Sequence, residues 1–114
     1  MSNDCIFCKI HNREIKSPIL YSNNTSFAIK DIAPKAPIHF LIIPKVHLTN
    51  LTDFNDQSFN SMKDMFKLAS EIVKQENLSR TGYRLVINQG SDAGQQVPHL
   101  HLHLLAGIQL GEMG

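Results

Sequence analysis

The chain has 114 residues, of which 42% are apolar and 18% charged, with a net charge of +1. This length predicts one domain, residues 1–114, with a buried core, and the charge excludes a broad basic surface for nucleic acid or anionic membrane. No apolar run reaches the roughly 20 residues of a transmembrane helix, and the polar residues 1–4 lack the apolar core of a signal peptide. We therefore expect a cytoplasmic protein without nucleic-acid or membrane partners.

Two segments have the apolar spacing of helices. Residues 5–12 read as one or two helical turns, and residues 53–75 carry an apolar stripe opposite a charged face. The stripe consists of Phe59, Met62, Phe66, Ala69 and Val73, widened by Met65 and Ile72. Such a stripe is typical of a core or an interface, and either Asp53 or Asn55 is expected to cap the long helix.

Five further segments have the composition of strands. They are residues 18–21, 26–31, 38–43, 83–87 and 98–106. Strands, one long helix and strands again favour an antiparallel α+β domain, since the connections between consecutive strands are short. A βαβ crossover around the long helix is the alternative topology.

The last predicted strand carries His99, His101 and His103, each followed by a leucine. On a strand the histidines would share one face at intervals of roughly 6–7 Å, while the leucines would enter the core. Two chemistries suit such a row: metal binding by neutral imidazole, and attack on phosphorus through a covalent histidine intermediate. The preceding loop, residues 90–94, and two glutamines offer N–H groups to an anion. A solvated polar face is the plain alternative.

Two cysteines, Cys5 and Cys8, form a Cys-x-x-Cys motif at the start of the chain. In a reducing compartment this motif predicts half of a metal site or a redox pair rather than a structural disulfide. No strand precedes the motif, which disfavours a thioredoxin-like role.

Over essentially its whole length the chain resembles the Hint branch of the histidine triad (HIT) family. Residues 95–105, QQVPHLHLHLL, resemble the signature His-φ-His-φ-His-φ-φ, in which φ is apolar. CIFCKI, DIAPKAPIHF, IPKVH and NQG resemble other stretches of that branch, in the same order. The resemblance implies a HIT-like α+β fold with a mainly antiparallel sheet of about five strands, one long helix and one short helix.

The resemblance also implies an activity. Such proteins are hydrolases or transferases that cleave purine nucleoside phosphoramidates, or related adenylates, at the α-phosphate through a nucleotidyl-histidine intermediate. His101 matches the nucleophile, His99 and His103 match its flanking histidines, and His39 matches a fourth active-site histidine. Three alternatives stay open: a dinucleoside polyphosphate hydrolase, a nucleotide-binding interaction module with little catalysis, and a metal-dependent hydrolase.

Ten positions match the nucleotide-binding residues of the family. Asp31 matches a carboxylate that accepts hydrogen bonds from ribose hydroxyls, and Asn88 and Gln95 match residues of the phosphate region. Gln96 and Val97 follow in the same stretch, with Gln96 standing where many members carry a serine. The apolar slot for the base is matched by Ile6, Phe7, Ile10, Ile29 and Ile32.

Some members with the Cys-x-x-Cys motif bind a structural zinc. The matching residues here are Cys5, Cys8, His47 and His99, a Cys₂His₂ set that is complete for tetrahedral zinc. No organic cofactor is implied. Proteins of this branch form homodimers through the long helix and a continued sheet, so a homodimer is expected.

Overall fold

In the computed structural model, which describes residues 5–113, five strands form one sheet in the order β1-β2-β3-β5-β4. The strands are β1 (Tyr21–Ser22), β2 (Ser26–Lys30), β3 (Ile38–Pro44), β4 (Arg84–Val86) and β5 (Leu102–Ala106). The helices are α1 (Ile6–His11) and α2 (Asp56–Gln75), and Leu51–Asp53 and Ser91–Ala93 are 3-10 turns. The predicted α+β fold, with its long and its short helix, is confirmed. Among residues 5–113, no helix has the length and apolarity needed to cross a membrane.

Every neighbouring pair of strands in the sheet is antiparallel. Both β3 and β4 pair with β5 and therefore run parallel to each other, with β5 between them. Helix α2 links β3 to β4, so it is a crossover between parallel strands that are not neighbours. The prediction of antiparallel pairing thus holds for every neighbouring pair. The crossover also exists, but the two parallel strands that it links are not hydrogen-bonded to each other.

One face of the sheet is covered by α2. The buried helix residues Met65, Leu68, Ala69 and Ile72 form a core with sheet residues that include Ala28, Phe40, Ile42, Leu102 and Leu104. The helix begins at Asp56 rather than at residue 53, because the Asn55 side chain caps it by accepting a 2.9 Å hydrogen bond from the N–H of Ser58. Two residues of the predicted stripe, Phe59 and Phe66, lie beside the core and are 50% and 44% exposed.

The other face of the sheet is covered by α1. Cys5, Phe7 and Ile10 pack there against Phe27, Ile29, Leu41 and Ile43. Because side chains alternate along a strand, His39 lies on the same face as Leu41. His103 also lies on this face, since it is the cross-strand partner of Leu41. The pleat therefore places two histidines on the sheet face that α1 covers, and it directs Leu102 and Leu104 towards α2.

The prediction of a strand from residue 98 is wrong at its start. The pairing of β3 with β5 runs as far as Ile42 and Leu102. Continued in that register, His101 would lie opposite Ile43 and Leu100 opposite Pro44. Proline has no N–H to donate, so the ladder stops. The N–H of Leu100 donates instead to the carbonyl of Leu48 at 2.7 Å. His99 and His101 therefore precede the strand, and only His103 lies on it.

Candidate active site

The ring of His99 is buried at the point where the ladder stops. Its Nε2 lies 2.9 Å from the carbonyl oxygen of Pro44, and a carbonyl only accepts, so Nε2 carries the proton. The other nitrogen, Nδ1, therefore keeps its lone pair. Nδ1 lies 3.3 Å from Sγ of Cys5 and 3.5 Å from Sγ of Cys8.

His47 completes a set of four potential metal ligands with these three residues. Its Nδ1 lies 3.3 Å from Sγ of Cys8, and the four donor atoms all lie within 4.8 Å of one another. Tetrahedral zinc with nitrogen and thiolate ligands needs donor separations of about 3.4–3.8 Å. Burial lowers the pKa of His99 to about 4, which keeps the imidazole in its neutral, ligating form. The set fits zinc, and the Pro44 carbonyl orients one ligand, as in established zinc sites.

His101 is held by its own neighbour in the chain. Its Nδ1–H donates to the carbonyl oxygen of His99 at 2.7 Å, so the lone pair of the neutral ring is on Nε2. The edge of Phe7 packs on both rings, with centroid distances of 5.1 Å to His101 and 5.7 Å to His99. His101 is therefore a buried, oriented imidazole whose unprotonated nitrogen is Nε2, as a nucleophilic histidine requires.

His103 and His39 form a hydrogen-bonded pair across the sheet. Nε2 of His39 lies 2.9 Å from Nδ1 of His103. The backbone N–H of Lys35 donates to Nδ1 of His39 at 3.1 Å, which assigns the His39 proton to Nε2. His39 is therefore the donor, and neutral His103 carries its own proton on Nε2.

The carboxylate of Asp31 lies beside this pair, with Oδ2 3.4 Å from Nε2 of His39. Asp31, His39 and His103 present donor atoms within the span of a metal site. A metal on Nε2 of His39 would move the ring proton to Nδ1, where it would face the Lys35 N–H. The hydrogen bonds therefore favour a proton-donating chain over a second metal site.

Gln95 forms its hydrogen bonds within the glycine-containing loop. Its Oε1 accepts from the N–H of Gly90 at 2.8 Å, and its Nε2 donates to the carbonyl of Val97 at 3.0 Å. Gly90 and Gly94 have φ values of 85° and 81°, which side chains rarely adopt. The N–H groups of Gly90, Ala93, Gly94 and Gln95 all bond inside the loop. Gln95 thus shapes the loop, and fewer N–H groups face a ligand than the sequence suggests.

The remaining nucleotide-binding candidates divide by burial. Phe7, Ile10 and Ile29 are buried together in one cluster, and the half-buried Val97 packs against it. Asn88 is half-buried two residues beyond β4, and Gln96 is exposed. Ile6 and Ile32 are 40% and 95% exposed. Part of the predicted slot therefore contacts His99 and His101, because Phe7 packs both in this cluster and against the two rings. Ile6 and Ile32 lie at the surface.

Sequence reasoning gave no role to Pro44 or Lys35, although both orient histidines of the site. Each acts through its backbone, as an acceptor for His99 and as a donor to His39. The sequence does contain a signal for Pro44. A proline at the end of a buried strand has no N–H for the ladder, so pairing stops there and its carbonyl can accept from another donor. No side-chain pattern marks the Lys35 N–H.

Comparison with known proteins agrees with this geometry. The HIT domain family matches residues 12–110. The chain belongs to the HIT domain family. The purine nucleoside phosphoramidase of Escherichia coli strain K12 is 40% identical over 113 residues, which cover 99% of this chain and 95% of that protein.

Two solved HIT structures have the same fold. A HIT family hydrolase from Clostridium thermocellum has a TM-score of 0.90 at 43% identity, covering 97% of this chain and 96% of its own. A histidine triad protein from Clostridium difficile has a TM-score of 0.91 at 40% identity, with 98% and 97% covered.

The metal site leads to a first prediction. Replacing one sulfur ligand, Cys8→Ala, should reduce zinc from about one ion per chain to a small fraction, because a structural zinc site needs four protein ligands and the variant lacks one of its two thiolates. Zinc per chain is measured by mass spectrometry on protein purified without chelators. His11→Gln, a histidine on the same helix outside the ligand set, should keep its zinc. A folded wild-type protein without zinc would contradict the assignment.

A second prediction concerns stability against pH. Burial lowers the pKa of His103 to about 4, and it also lowers the pKa of His39. Between pH 6.5 and 4 the unfolded chain therefore binds more protons than the folded chain, so the free energy of unfolding must fall as the pH falls. Urea unfolding at several pH values measures this slope. His103→Asn should flatten it, and an unchanged slope in that variant would contradict the prediction.

Proposed function

We propose that this chain is a single HIT domain, residues 1–114, that hydrolyses purine nucleoside phosphoramidates, or related adenylates, at the α-phosphate. The observation that carries the proposal is the 2.7 Å hydrogen bond from Nδ1 of His101 to the His99 carbonyl, which leaves Nε2 unprotonated. Membership of the HIT family supports the reaction class. The similarity to a relative named purine nucleoside phosphoramidase supports the choice of substrate.

The reaction proceeds in two displacements at phosphorus. The Nε2 lone pair of His101 forms an N–P bond while the bond from phosphorus to the amine nitrogen breaks, and the departing amine takes up a proton. Water then attacks the nucleotidyl-histidine phosphorus. The His101 N–P bond breaks, its electron pair returns to Nε2, the water loses a proton, and a nucleoside monophosphate is released.

The neighbouring residues bind and orient the substrate in this proposal. His103 and Asn88 interact with the charged phosphate. Gln95 holds the loop beside the phosphate, and Gln96 borders that loop. The ribose hydroxyls donate to Asp31. The base lies against the apolar slot of Ile6, Phe7, Ile10, Ile29, Ile32 and Val97.

The ligands Cys5, Cys8, His47 and His99 hold a structural zinc in this proposal. When bound, zinc cross-links α1, the segment after β3 and His99. The carbonyl of His99 accepts a hydrogen bond from Nδ1–H of His101. His99 therefore connects the metal ligands to the nucleophile. His101 and His103 are not part of this ligand set, which favours the nucleophilic mechanism over a metal-dependent hydrolase.

We also propose that the chain is a cytoplasmic homodimer. Phe59 and Phe66 leave apolar surface exposed on α2. In the described part of the chain, β4 has a sheet neighbour on one side alone. An open groove of about 580 Å³ runs beside that edge, and its lining includes Tyr83 and Ile108. Burying both apolar surfaces against a second copy would remove them from water and close the sheet edge.

The test of the nucleophile is turnover of adenosine phosphoramidate by wild type and His101→Ala, with and without chelator. The wild type should turn over, and a folded His101→Ala should lose at least ~10²-fold in kcat. His11→Gln is the control variant and should match the wild type. Circular dichroism and thermal unfolding check that the variants fold.

The outcomes separate the alternatives. Tight binding of the nucleoside monophosphate without turnover would replace the proposal with a nucleotide-binding module. A preference for diadenosine polyphosphates would indicate the neighbouring HIT reaction. Loss of activity on chelation, in a protein that remains folded, would indicate a metal-dependent hydrolase.

The dimer is tested by sedimentation of the wild type and Phe66→Glu. The wild type should have twice the mass of one chain, while the variant should dissociate because a charge is buried at an apolar contact. Glu71→Lys changes an exposed residue on the opposite flank of α2 and should remain dimeric. A monomeric wild type at micromolar concentration would refute the assembly.

A further inference from the structure

The carboxylate of Asp31 is fixed in place before any ligand binds. Its Oδ1 accepts from the N–H of Ala33 at 2.8 Å, and the backbone N–H of Asp31 donates to the carbonyl of His39 at 3.0 Å. These bonds aim Oδ2 at Nε2 of His39, 3.4 Å away. The His39 side chain is only 2% exposed and that of Asp31 is 18% exposed, so solvent screens their interaction poorly.

The proton on Nε2 of His39 lies between two acceptors. They are Nδ1 of His103 at 2.9 Å and Oδ2 of Asp31 at 3.4 Å. The Lys35 N–H on the opposite nitrogen prevents the ring from moving this proton to Nδ1. A carboxylate that attracts the proton of Nε2 therefore fixes both the orientation of His39 and the nitrogen through which it meets His103.

The charged and titratable groups around His39 come from three segments. They are Asp31 after β2, Lys35 in the connection to β3, and His103 on β5, with His101 next to His103. Burial is the main cause that lowers the pKa of both His39 and His103, and the Asp31 carboxylate opposes it at both rings. Asp31 thus acts electrostatically on two rings: its Oδ2 lies 3.4 Å from Nε2 of His39, and its carboxylate lies within 4.8 Å of a ring nitrogen of His103.

We propose that Asp31 is a positioning residue of the reaction: its carboxylate holds the Nε2–H of His39, and through His39 it orients His103. This role is additional to a contact with ribose, and it rests on the proposed hydrolase function. A carboxylate offers about four acceptor sites, and the bonds to Ala33 and His39 leave room for sugar hydroxyls. The same carboxylate therefore recognises the sugar and holds the histidine pair.

The first arm of the test does not depend on turnover. Asp31→Asn keeps the shape of the side chain and removes its charge, and NMR titration of the ring nitrogens follows His39 and His103 in the free protein. The pKa of both rings should move further below the ordinary histidine value, because the opposing charge is gone. Asp53→Asn, at an exposed aspartate in a 3-10 turn, should leave both titrations as in the wild type. Identical titrations in Asp31→Asn and wild type would overturn the proposal.

The second arm separates positioning from sugar binding. Adenosine phosphoramidate and its 2′,3′-dideoxy analogue are compared in the wild type and in Asp31→Asn. Positioning predicts that kcat falls by at least ~10-fold on both substrates, since the dideoxy sugar has no hydroxyl to lose. A sugar contact alone predicts a higher KM on the ribose substrate and no change in kcat on the dideoxy substrate, which would overturn the proposal.

A double-mutant cycle with His39→Gln tests the route. If Asp31 acts through His39, the change Asp31→Asn should alter kcat less than ~2-fold in the His39→Gln background. Equal effects of Asp31→Asn in both backgrounds would refute the route through His39. If the wild type turns over neither substrate, the hydrolase proposal fails while the NMR titration still decides whether Asp31 holds the histidine pair.

Discussion

The end of the ladder between β3 and β5 at Pro44 is the constraint on which the site depends. Proline has no N–H, so the backbone at Leu100 bonds to Leu48 instead of to β3. The Pro44 carbonyl accepts a hydrogen bond from Nε2–H of His99, which leaves Nδ1 of that ring for the two sulfurs. The His99 carbonyl in turn accepts a hydrogen bond from Nδ1–H of His101. A single interruption of the sheet thus sets the proton positions of two histidines.

The three histidines of the row, His99, His101 and His103, take on different roles because each forms hydrogen bonds with different partners. His99 presents Nδ1 to the cysteines, His101 keeps its lone pair on Nε2, and His103 accepts from His39 through Nδ1. Burial lowers the pKa of His99 and His103 to about 4, so both are neutral at physiological pH. Neutral rings with assigned tautomers can serve as a ligand and a directed donor, which freely titrating surface histidines cannot.

The two faces of the sheet differ in chemistry. The α2 face is an apolar core, with Met65, Ile72 and Leu104 fully buried. The α1 face carries the histidines beneath Phe7, and its aromatic contacts hold His99 and His101 while the helix brings the cysteines to His99. Asp31 joins this face from the end of β2 and meets His39. Substitutions in the α2 core should therefore act on folding, whereas those on the α1 face, which has a buried apolar cluster of its own, should act on both folding and the site.

The sequence alone determined the fold class, the long helix and the buried leucines. It also pointed to the histidine row and the Cys-x-x-Cys motif, since alternation, helical spacing and the family motifs are local patterns. It also grouped Cys5, Cys8, His47 and His99, although 94 residues separate Cys5 from His99, but that grouping came from resemblance. The sequence could not show where β5 begins, that Phe59 and Phe66 lie beside the core, or that Gln95 is bonded inside its loop. Only the tertiary structure decided the tautomers of the histidines, because the carbonyls of Pro44 and His99 and the N–H of Lys35 are backbone groups that no side-chain pattern marks. Their positions follow from the register of the sheet.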